Sequence, residues 1–438
     1  MNVLLIGNGA REHAMAEAII RSPKKPKLYS YMKANNPGIA SLSYQVKLGK
    51  YDDLSTITSY AKASKIDIAV IGPEDPLSDG VVDALEKEGI KAVGPKKQLA
   101  QLETSKSFTR NLMKKYNVPG APIFGVFNST KGLKEFLIDL HPKIVLKPDG
   151  LTAGKGVKVQ GDHFTTVEEA YQYCEEVLKS HSAVVVEEKL EGEEFSLQSF
   201  TDGFSLLHCH PVQDHKRAFA GDKGPNTGGM GSYSTGELLP FMEKSDLEQA
   251  KEITDKMREA LKKECGEPYK GVMYGGFICT KEGTKLIEYN ARLGDPEAMN
   301  VLPIMNNDYV DVLQAIADGT LSKIKADFRN ISTVCKYAVP NGYPDHPVEN
   351  QKVSLDNVPK NVKVYYASID KREDGLYMSK SRALAFVGIA KDIEEAQNIA
   401  EEGVKAAKGP IFHREDIGTK NLIDKRIKHM QRLRQKSN

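Results

Sequence analysis

Ile144-Val-Leu-Lys-Pro-Asp-Gly-Leu-Thr-Ala-Gly-Lys-Gly-Val-Lys-Val159 is the stretch on which the fold turns. Two short apolar, β-branched runs flank a polar loop with three glycines and two lysines. Read as strand–loop–strand, it is a hairpin whose tip bares backbone N–H groups beside Lys147 and Lys155, a setting suited to an anion such as phosphate. It is not a Walker A loop, which needs four residues between its first glycine and Gly-Lys, then Ser or Thr. Here Gly150 and Gly154 enclose three residues, and Val-Lys-Val follows as strand. By itself the segment reads equally well as a Gly-rich surface hairpin, so its neighbours must decide.

Working outward, 438 residues should hold several structural units rather than one core. A net charge of +2 gives no global attraction to nucleic acid or membrane, so any basic site must be local. Five scattered cysteines without a C-x-x-C pair argue against a disulfide framework or zinc site and fit a reducing, cytoplasmic setting. The opening Met-Asn-Val-Leu-Leu-Ile-Gly lacks a basic n-region and cleavage site, so no secretory leader is expected. No apolar run approaches the ~18 residues of a membrane span.

Val3–Ile6 reads as a buried parallel strand, followed by Gly7-Asn-Gly-Ala-Arg-Glu12 and a helix to Ile20. A strand, a glycine turn and a helix N-terminus together make an anion-binding arrangement. As a dinucleotide fingerprint it is defective, because Glu12 stands at the third glycine of G-x-G-x-x-G and would crowd a pyrophosphate. The loops Asn35–Gly38 and Gly72–Pro76 also follow predicted strands, and all three should gather on one sheet edge. A strand from Ala183 runs into Glu187-Glu-Lys-Leu-Glu-Gly-Glu-Glu194, carboxylates that suit either a solvated turn or a nucleoside. Gln213-Asp-His-Lys-Arg217 opens a loop with five glycines from Gly221 to Gly231, favoured as a binding loop over a linker. In Leu286–Glu297, strand alternation puts Glu288 and Asn290 on one face, two oxygen ligands suited to Mg²⁺. The Lys/Arg-rich helix after Asn421 reads as a solvated terminus, with nucleic-acid binding the minority reading.

Together, Gly7–His13, Gly72-Pro-Glu74, Lys147–Gly156, Gln213–Arg217, Gly224–Gly231, Asn290–Glu297 and Arg414–Gly418 resemble the phosphoribosylamine–glycine ligase family (glycinamide ribonucleotide synthetases). These are ATP-grasp enzymes of purine biosynthesis, and the motifs run in the family's order over nearly the whole chain. The resemblance implies an α/β and α+β multidomain fold. Its parts would be a Rossmann-like N-terminal (pre-ATP-grasp) domain (1–102), a linker helix (103–122) and ATP-grasp lid and central subdomains (123–192, 193–328). A small C-terminal α+β lobe (329–425) and a basic tail (426–438) would follow. It implies that ATP phosphorylates glycine to glycyl phosphate, which 5-phosphoribosylamine then attacks.

By the same resemblance, Lys106, Lys147 and Lys155 face the ATP phosphates, Glu187 and the Leu190 backbone meet adenine, and Glu194 meets ribose. Glu288 and Asn290 hold Mg²⁺ or Mn²⁺. Arg292 and Asp214 hold glycine and, with Lys155, form the catalytic set. Gly9, Asn36, Glu74, Lys216, Arg217, Asp295 and the loop Pro225, Asn226, Thr227, Gly228 and Gly229 hold the acceptor side. Small-molecule substrates, no nucleic acid or membrane partner, and a cytoplasmic monomer or homodimer are expected. The chain departs from the family pattern at Ala10 and Thr104, and Lys380-Ser-Arg382 replaces a Gly-Gly-Arg motif, which removes support for an adenine contact from that lobe. The strand before Glu288 also offers no second metal-binding carboxylate. The alternatives are another ATP-grasp ligase acting on a related nucleotide precursor, a Rossmann oxidoreductase, or a non-catalytic nucleotide- or RNA-binding protein.

Overall fold

The computed structural model describes residues 1–151 and 156–435. The strands of the first unit are β1 (Asn2–Ile6), β2 (Lys27–Met32), β3 (Gln45–Leu48), β4 (Ile68–Ile71) and β5 (Lys91–Val93), all parallel, in spatial order β3-β2-β1-β4-β5. Central β1 is apolar on both faces because helices cover both. Ile6 is level with Tyr31 of β2 and Ile71 of β4, so the loops after all three strands open at one edge, as their sequences predict.

Glu12 does not hold helix and sheet apart. It folds into the glycine turn, where its carboxylate accepts from the Gly9 N–H (2.6 Å) and the Arg11 Nε–H (2.5 Å). Gly7 and Gly72 make the room, since a Cβ on either would lie 2.3 Å from the Glu12 side chain. A buried carboxylate thus caps the helix at the place a pyrophosphate would need.

The segment expected to form a lid follows: β6 (Phe124–Phe127), β7 (Ile144–Pro148), β8 (Lys158–Val159) and β9 (Val184–Glu188), antiparallel in order β6-β9-β7-β8. Val145 faces Val159 and Leu146 faces Lys158, so the opening stretch is a hairpin. Leu133, Leu137, Ile144, Leu146, Cys174 and Val186 give the lid its own apolar cluster, separate from the main core. Lys155 lies outside the described residues.

The next strands are β10 (Glu193–Thr201), β11 (Leu206–His208), β12 (Val212–Asp214), β13 (Arg217–Phe219), β14 (Lys223–Asn226), β15 (Gly231–Ser234), β16 (Gly271–Thr280), β17 (Gly283–Asn290) and, opening the C-terminal lobe, β18 (Ser332–Pro340). A ten-stranded sheet runs β17-β16-β10-β12-β15-β18 and on through Leu384–Ala390 to Lys363–Tyr366. The central subdomain and the C-terminal lobe therefore share one sheet, joined where β15 pairs with β18. The helix Lys244–Cys265 covers the sheet with Ala250, Ile253, Met257 and Leu261, an i, i+3, i+4 stripe, and ends at left-handed Gly266.

The terminal helix Lys420–Gln435 is not the solvated element its charge suggests. Leu422, Ile423, Met430 and Leu433 are buried, while Arg426 reaches Asp222 (2.6 Å), His429 reaches Glu193 (2.6 Å) and Arg434 reaches Asp246 (2.6 Å). Its cations neutralise carboxylates at the sheet, and its few apolar residues lie on the docked face. No described helix is long and apolar enough to cross a membrane.

Candidate active site

β10, β12, β16 and β17 border an open pocket of about 300 Å³ lined by Glu194, Ser196, Asp214, Lys216, Tyr274, Gly276, Ile287 and Glu288. Its floor depends on a bulge. Gly276 faces Glu288 but Phe277 faces Leu286, leaving Ile287 as an extra residue in β17. Beyond the bulge, alternation turns Tyr289 to the core, where its hydroxyl meets Thr254 (3.2 Å), and puts Glu288 and Asn290 on the opposite face. Lys216 Nζ lies 3.6 Å from Glu288. Burial pushes the Glu288 carboxyl up, but Lys216, Lys147 and Lys106 together hold it below its ordinary value.

The bulge also frees the Ile287 carbonyl, which accepts from Arg110 Nη2 (2.7 Å) and Lys147 Nζ (3.2 Å). Arg110 is almost wholly buried and grips Glu187 with two nitrogens (2.6 and 3.1 Å), while Lys147 approaches the same carboxylate at 2.7 Å. Burial opposes ionisation of Glu187, yet these two cations hold its pKa at about 2. Glu187 is therefore a neutralised, buried group rather than an open one. Lys106 donates to the Gly150 carbonyl (2.8 Å), and burial lowers its pKa. Beside it Asp149 accepts from the Ser107 N–H (3.1 Å) and hydroxyl (2.5 Å), which fastens the end of β7 to a helix N-terminus. Leu190 lies in the link from β9 to β10, and Glu194 lines the pocket while its neighbour Glu193 is buried.

Toward the N-terminal domain, Arg292 pairs with Glu74 (3.1 Å) and Glu103 (3.0 Å), and Arg11 stands 3.9 Å from Glu74. Burial opposes ionisation of Glu74, but Arg292 and Arg11 hold it at about 2. Burial pushes Glu103 up to about 7 against the pull of Arg292. Asn36 caps the helix Pro37–Leu42 with its oxygen and donates to the Asn8 and Tyr366 carbonyls (3.0 and 2.7 Å), so its amide shapes this edge from within.

The Gly-rich loop closes the far side. Thr227 bonds to the Lys216 carbonyl through its N–H (2.7 Å) and hydroxyl (2.8 Å), and the Gly229 N–H donates to that hydroxyl (3.0 Å). Gly229 packs so tightly on Asp214 that a Cβ would lie 2.7 Å from its Oδ1. Burial, reinforced by Glu297, raises the Asp214 carboxyl well above its ordinary value. Asp295 accepts from the Tyr337 hydroxyl (2.6 Å) and pairs with Arg382 (3.2 Å). Arg217 is not gathered into the pocket. It sits on the β13–β14 hairpin, bonded to Asp162 (2.9 Å) and the Gly224 carbonyl (2.9 Å), with Asn226 across from it and Pro225 beside that.

The fold thus joins Glu194, Asp214, Lys216 and Glu288 in one pocket and pairs Glu74 with Arg292. Glu103, Arg110 and Tyr337 escaped the sequence reading, and Arg11 and Arg382 stood in quoted segments without being given a role. Arg110 lies 77 residues from Glu187 and carried no local signal. A cluster of Glu401, His413 and Glu415 has metal-ligand spacing, but Lys336 (2.5 Å) and Lys405 (3.0 Å) already neutralise Glu401.

Three family profiles match the chain: phosphoribosylglycinamide synthetase N domain over residues 1–103, its ATP-grasp (A) domain over 104–298 and its C domain over 333–420. The phosphoribosylamine–glycine ligase of Methanosarcina barkeri is 48% identical over 99% of this chain and all of its own length. That of Methanocaldococcus jannaschii is 50% identical with the same coverage. The crystal structure of the Thermotoga maritima phosphoribosylamine–glycine ligase superposes with a TM-score of 0.81 at 27% identity, covering 95% of this chain and 100% of that one. With its family profiles, its fold and its full-length relatives in agreement, the chain belongs to the phosphoribosylglycinamide synthetase family of ATP-grasp ligases.

Proposed function

We propose that the pocket between β10, β12 and β17 is where this chain carries out its family's reaction, the ATP-dependent ligation of glycine to 5-phosphoribosylamine. One observation carries the placement: Glu288, held ionised by three lysines, shares a pocket with Asp214 and Glu194 within the electrostatic reach of Arg292.

An oxygen of glycine's carboxylate takes the γ-phosphoryl group, the bond to the β-phosphate oxygen breaks, and glycyl phosphate and ADP result. The amine of 5-phosphoribosylamine then attacks the carbonyl, phosphate leaves, and the nitrogen gives up a proton as the amide forms. Lys106 and Lys147, with Lys155, hold the phosphates. Lys147 can turn to a phosphate without stranding a buried carboxylate, because Arg110 continues to neutralise Glu187. Since both Glu187 oxygens are so engaged, the adenine contact falls to the backbone around Leu190, with Glu194 at the ribose. Arg292, drawn off its glutamates, takes glycine's carboxylate, and Asp214 takes its amine. Gly9, Glu74, Lys216, Asp295 and the Pro225–Gly229 loop surround the acceptor.

The residues also fit a divalent cation. Glu288 and Asn290 share a face, and Gly276 opposite Glu288 leaves space that a Cβ, 3.5 Å from Glu288 Cγ, would fill. Mg²⁺ or Mn²⁺ held there would neutralise phosphate-oxygen charge during transfer.

ADP release should require glycine and 5-phosphoribosylamine together; release indifferent to glycine would overturn the reading. Glu288→Ala should lower turnover by about a hundredfold or more, since loss of an outer-shell metal partner alone costs about ten- to a hundredfold. A fully active variant would remove the metal assignment.

A further inference from the structure

Arg382 comes from the C-terminal lobe, on the segment where the chain departs from its family's Gly-Gly-Arg. Its backbone is fixed on both sides: the Arg382 carbonyl accepts from the Ser368 N–H (3.1 Å), and the Ala383 N–H donates to the Ala338 carbonyl on β18 (3.0 Å). Its guanidinium lies 4.4 Å over the Tyr337 ring. From there Nη1 donates to the carbonyls of Gly228 (2.9 Å), Gly229 (2.9 Å) and Asp295 (3.2 Å) and pairs with Asp295 Oδ1 (3.2 Å). One nitrogen thus draws together the acceptor loop and the segment that follows the metal strand.

We infer that Arg382 is a positioning residue for the acceptor: it turns the Gly228 and Gly229 carbonyls away from the ligand and sets the loop against Asp214. This rests on the function proposed above. The loop has no slack between the two sides. A Cβ on Gly228 would come within 3.1 Å of Arg382 Nη2, and Gly229, at φ +111°, already lies against Asp214. The charge logic favours a phosphorylated acceptor. Two carbonyl oxygens facing an anion would repel it, whereas their capture by a guanidinium removes that repulsion and adds a positive charge. The Gly228 N–H, meanwhile, donates to no acceptor among the described residues. A lysine at 382 would keep the charge but, as a single ammonium on a flexible stem, would not be preorganised to gather three carbonyls.

The test varies each of the three substrates in turn for wild type, Arg382→Ala and Arg382→Lys. In Arg382→Ala the KM for 5-phosphoribosylamine should rise at least about tenfold, the worth of one hydrogen bond to a charged group. The KM values for ATP and glycine should stay within about twofold, and methylguanidinium should restore part of the loss. Arg382→Lys should melt like wild type and still show the raised acceptor KM. Should Arg382→Ala fail to fold, Arg382→Lys carries the same comparison. An unchanged acceptor KM in Arg382→Lys, or all three KM values rising together, overturns the inference. A wild-type enzyme that turns over without 5-phosphoribosylamine overturns the proposed function instead.

Discussion

Arg110→Met removes a guanidinium and leaves a buried carboxylate with one cation fewer. Arg110 makes two bonds to Glu187 (2.6 and 3.1 Å) and two to the carbonyls of Leu286 (3.0 Å) and Ile287 (2.7 Å). Breaking a buried pair by deleting one partner costs about 3–5 kcal/mol, most of it for the charge left behind. A second route gives a similar figure. Glu187 is held at about 2 against an ordinary 4.5, a difference worth roughly 3 kcal/mol at ~1.4 kcal/mol per pH unit. Lys147 supplies part of that, but the two orphaned carbonyls add to the loss. About 4 kcal/mol is therefore expected.

The chain has no tryptophan, so urea unfolding is best followed by far-ultraviolet circular dichroism, using the first transition because a multidomain chain need not unfold in one step. Glu187→Gln completes a double-mutant cycle. With the carboxylate neutral, deleting Arg110 strands no charge, and the coupling should exceed about 1.5 kcal/mol. The sign with pH is fixed. A depressed carboxyl gives stability that is present above about 4.5 and is lost as the pH falls toward 2, and Arg110→Met should flatten that slope, with Lys147 the one cation left at Glu187. A loss under about 1 kcal/mol, or an additive cycle, would refute the account of Glu187 as a neutralised structural group.

Two further outcomes can be checked by thermal or acid unfolding. Ending the chain before Lys420 deletes the buried Leu422, Ile423, Met430 and Leu433 and bares the surface they cover, a loss of roughly 6 kcal/mol at ~1.5 kcal/mol each, and should lower Tm by about 6 °C; an unchanged Tm would mean the helix docks without consequence. Burial lowers His13 to about 4 and His215 to about 3, so the unfolded chain binds more protons below about 6.5, and stability should fall from there toward pH 4. His13→Gln should remove about a third of that slope, because burial lowers His208 to about 4 as well, and an unchanged slope would disprove the burial argument.

What the sequence reveals follows from the range over which its signals act. The strands β1, β2 and β4 and the hairpin pairing of β7 with β8 are set by local apolar runs and turn residues, and they appear where the sequence places them, whereas the short, mostly exposed β3 carries no such run. The face shared by Glu288 and Asn290 is also local, though it survives only because the Ile287 bulge comes before both. Glu187 could not be read from the sequence alone, because a carboxylate after a buried strand looks the same whether it awaits a ligand or a distant arginine. The terminal helix misleads for a related reason: its lysines and arginines suggest solvent until the acidic groups they meet, Glu193, Asp222 and Asp246, are brought beneath them by folding.

The Lys147–Gly156 hairpin shows the same limit from the other side. Its glycines and lysines suit a phosphate, but they suit a surface turn equally well. What separates the two is the root of the hairpin. Asp149 ties the end of β7 to the helix that starts at Lys106, Lys106 bonds to the Gly150 carbonyl, and Lys147 reaches the Ile287 carbonyl beside Glu288. A surface turn has no need for a lysine bonded to the strand that carries the proposed metal-ligand pair, or for a second lysine bonded to its own root. Movement of the hairpin would therefore be felt at Glu288 through Lys106 and Lys147. The phosphate reading rests on that connection more than on the glycines that first suggested it.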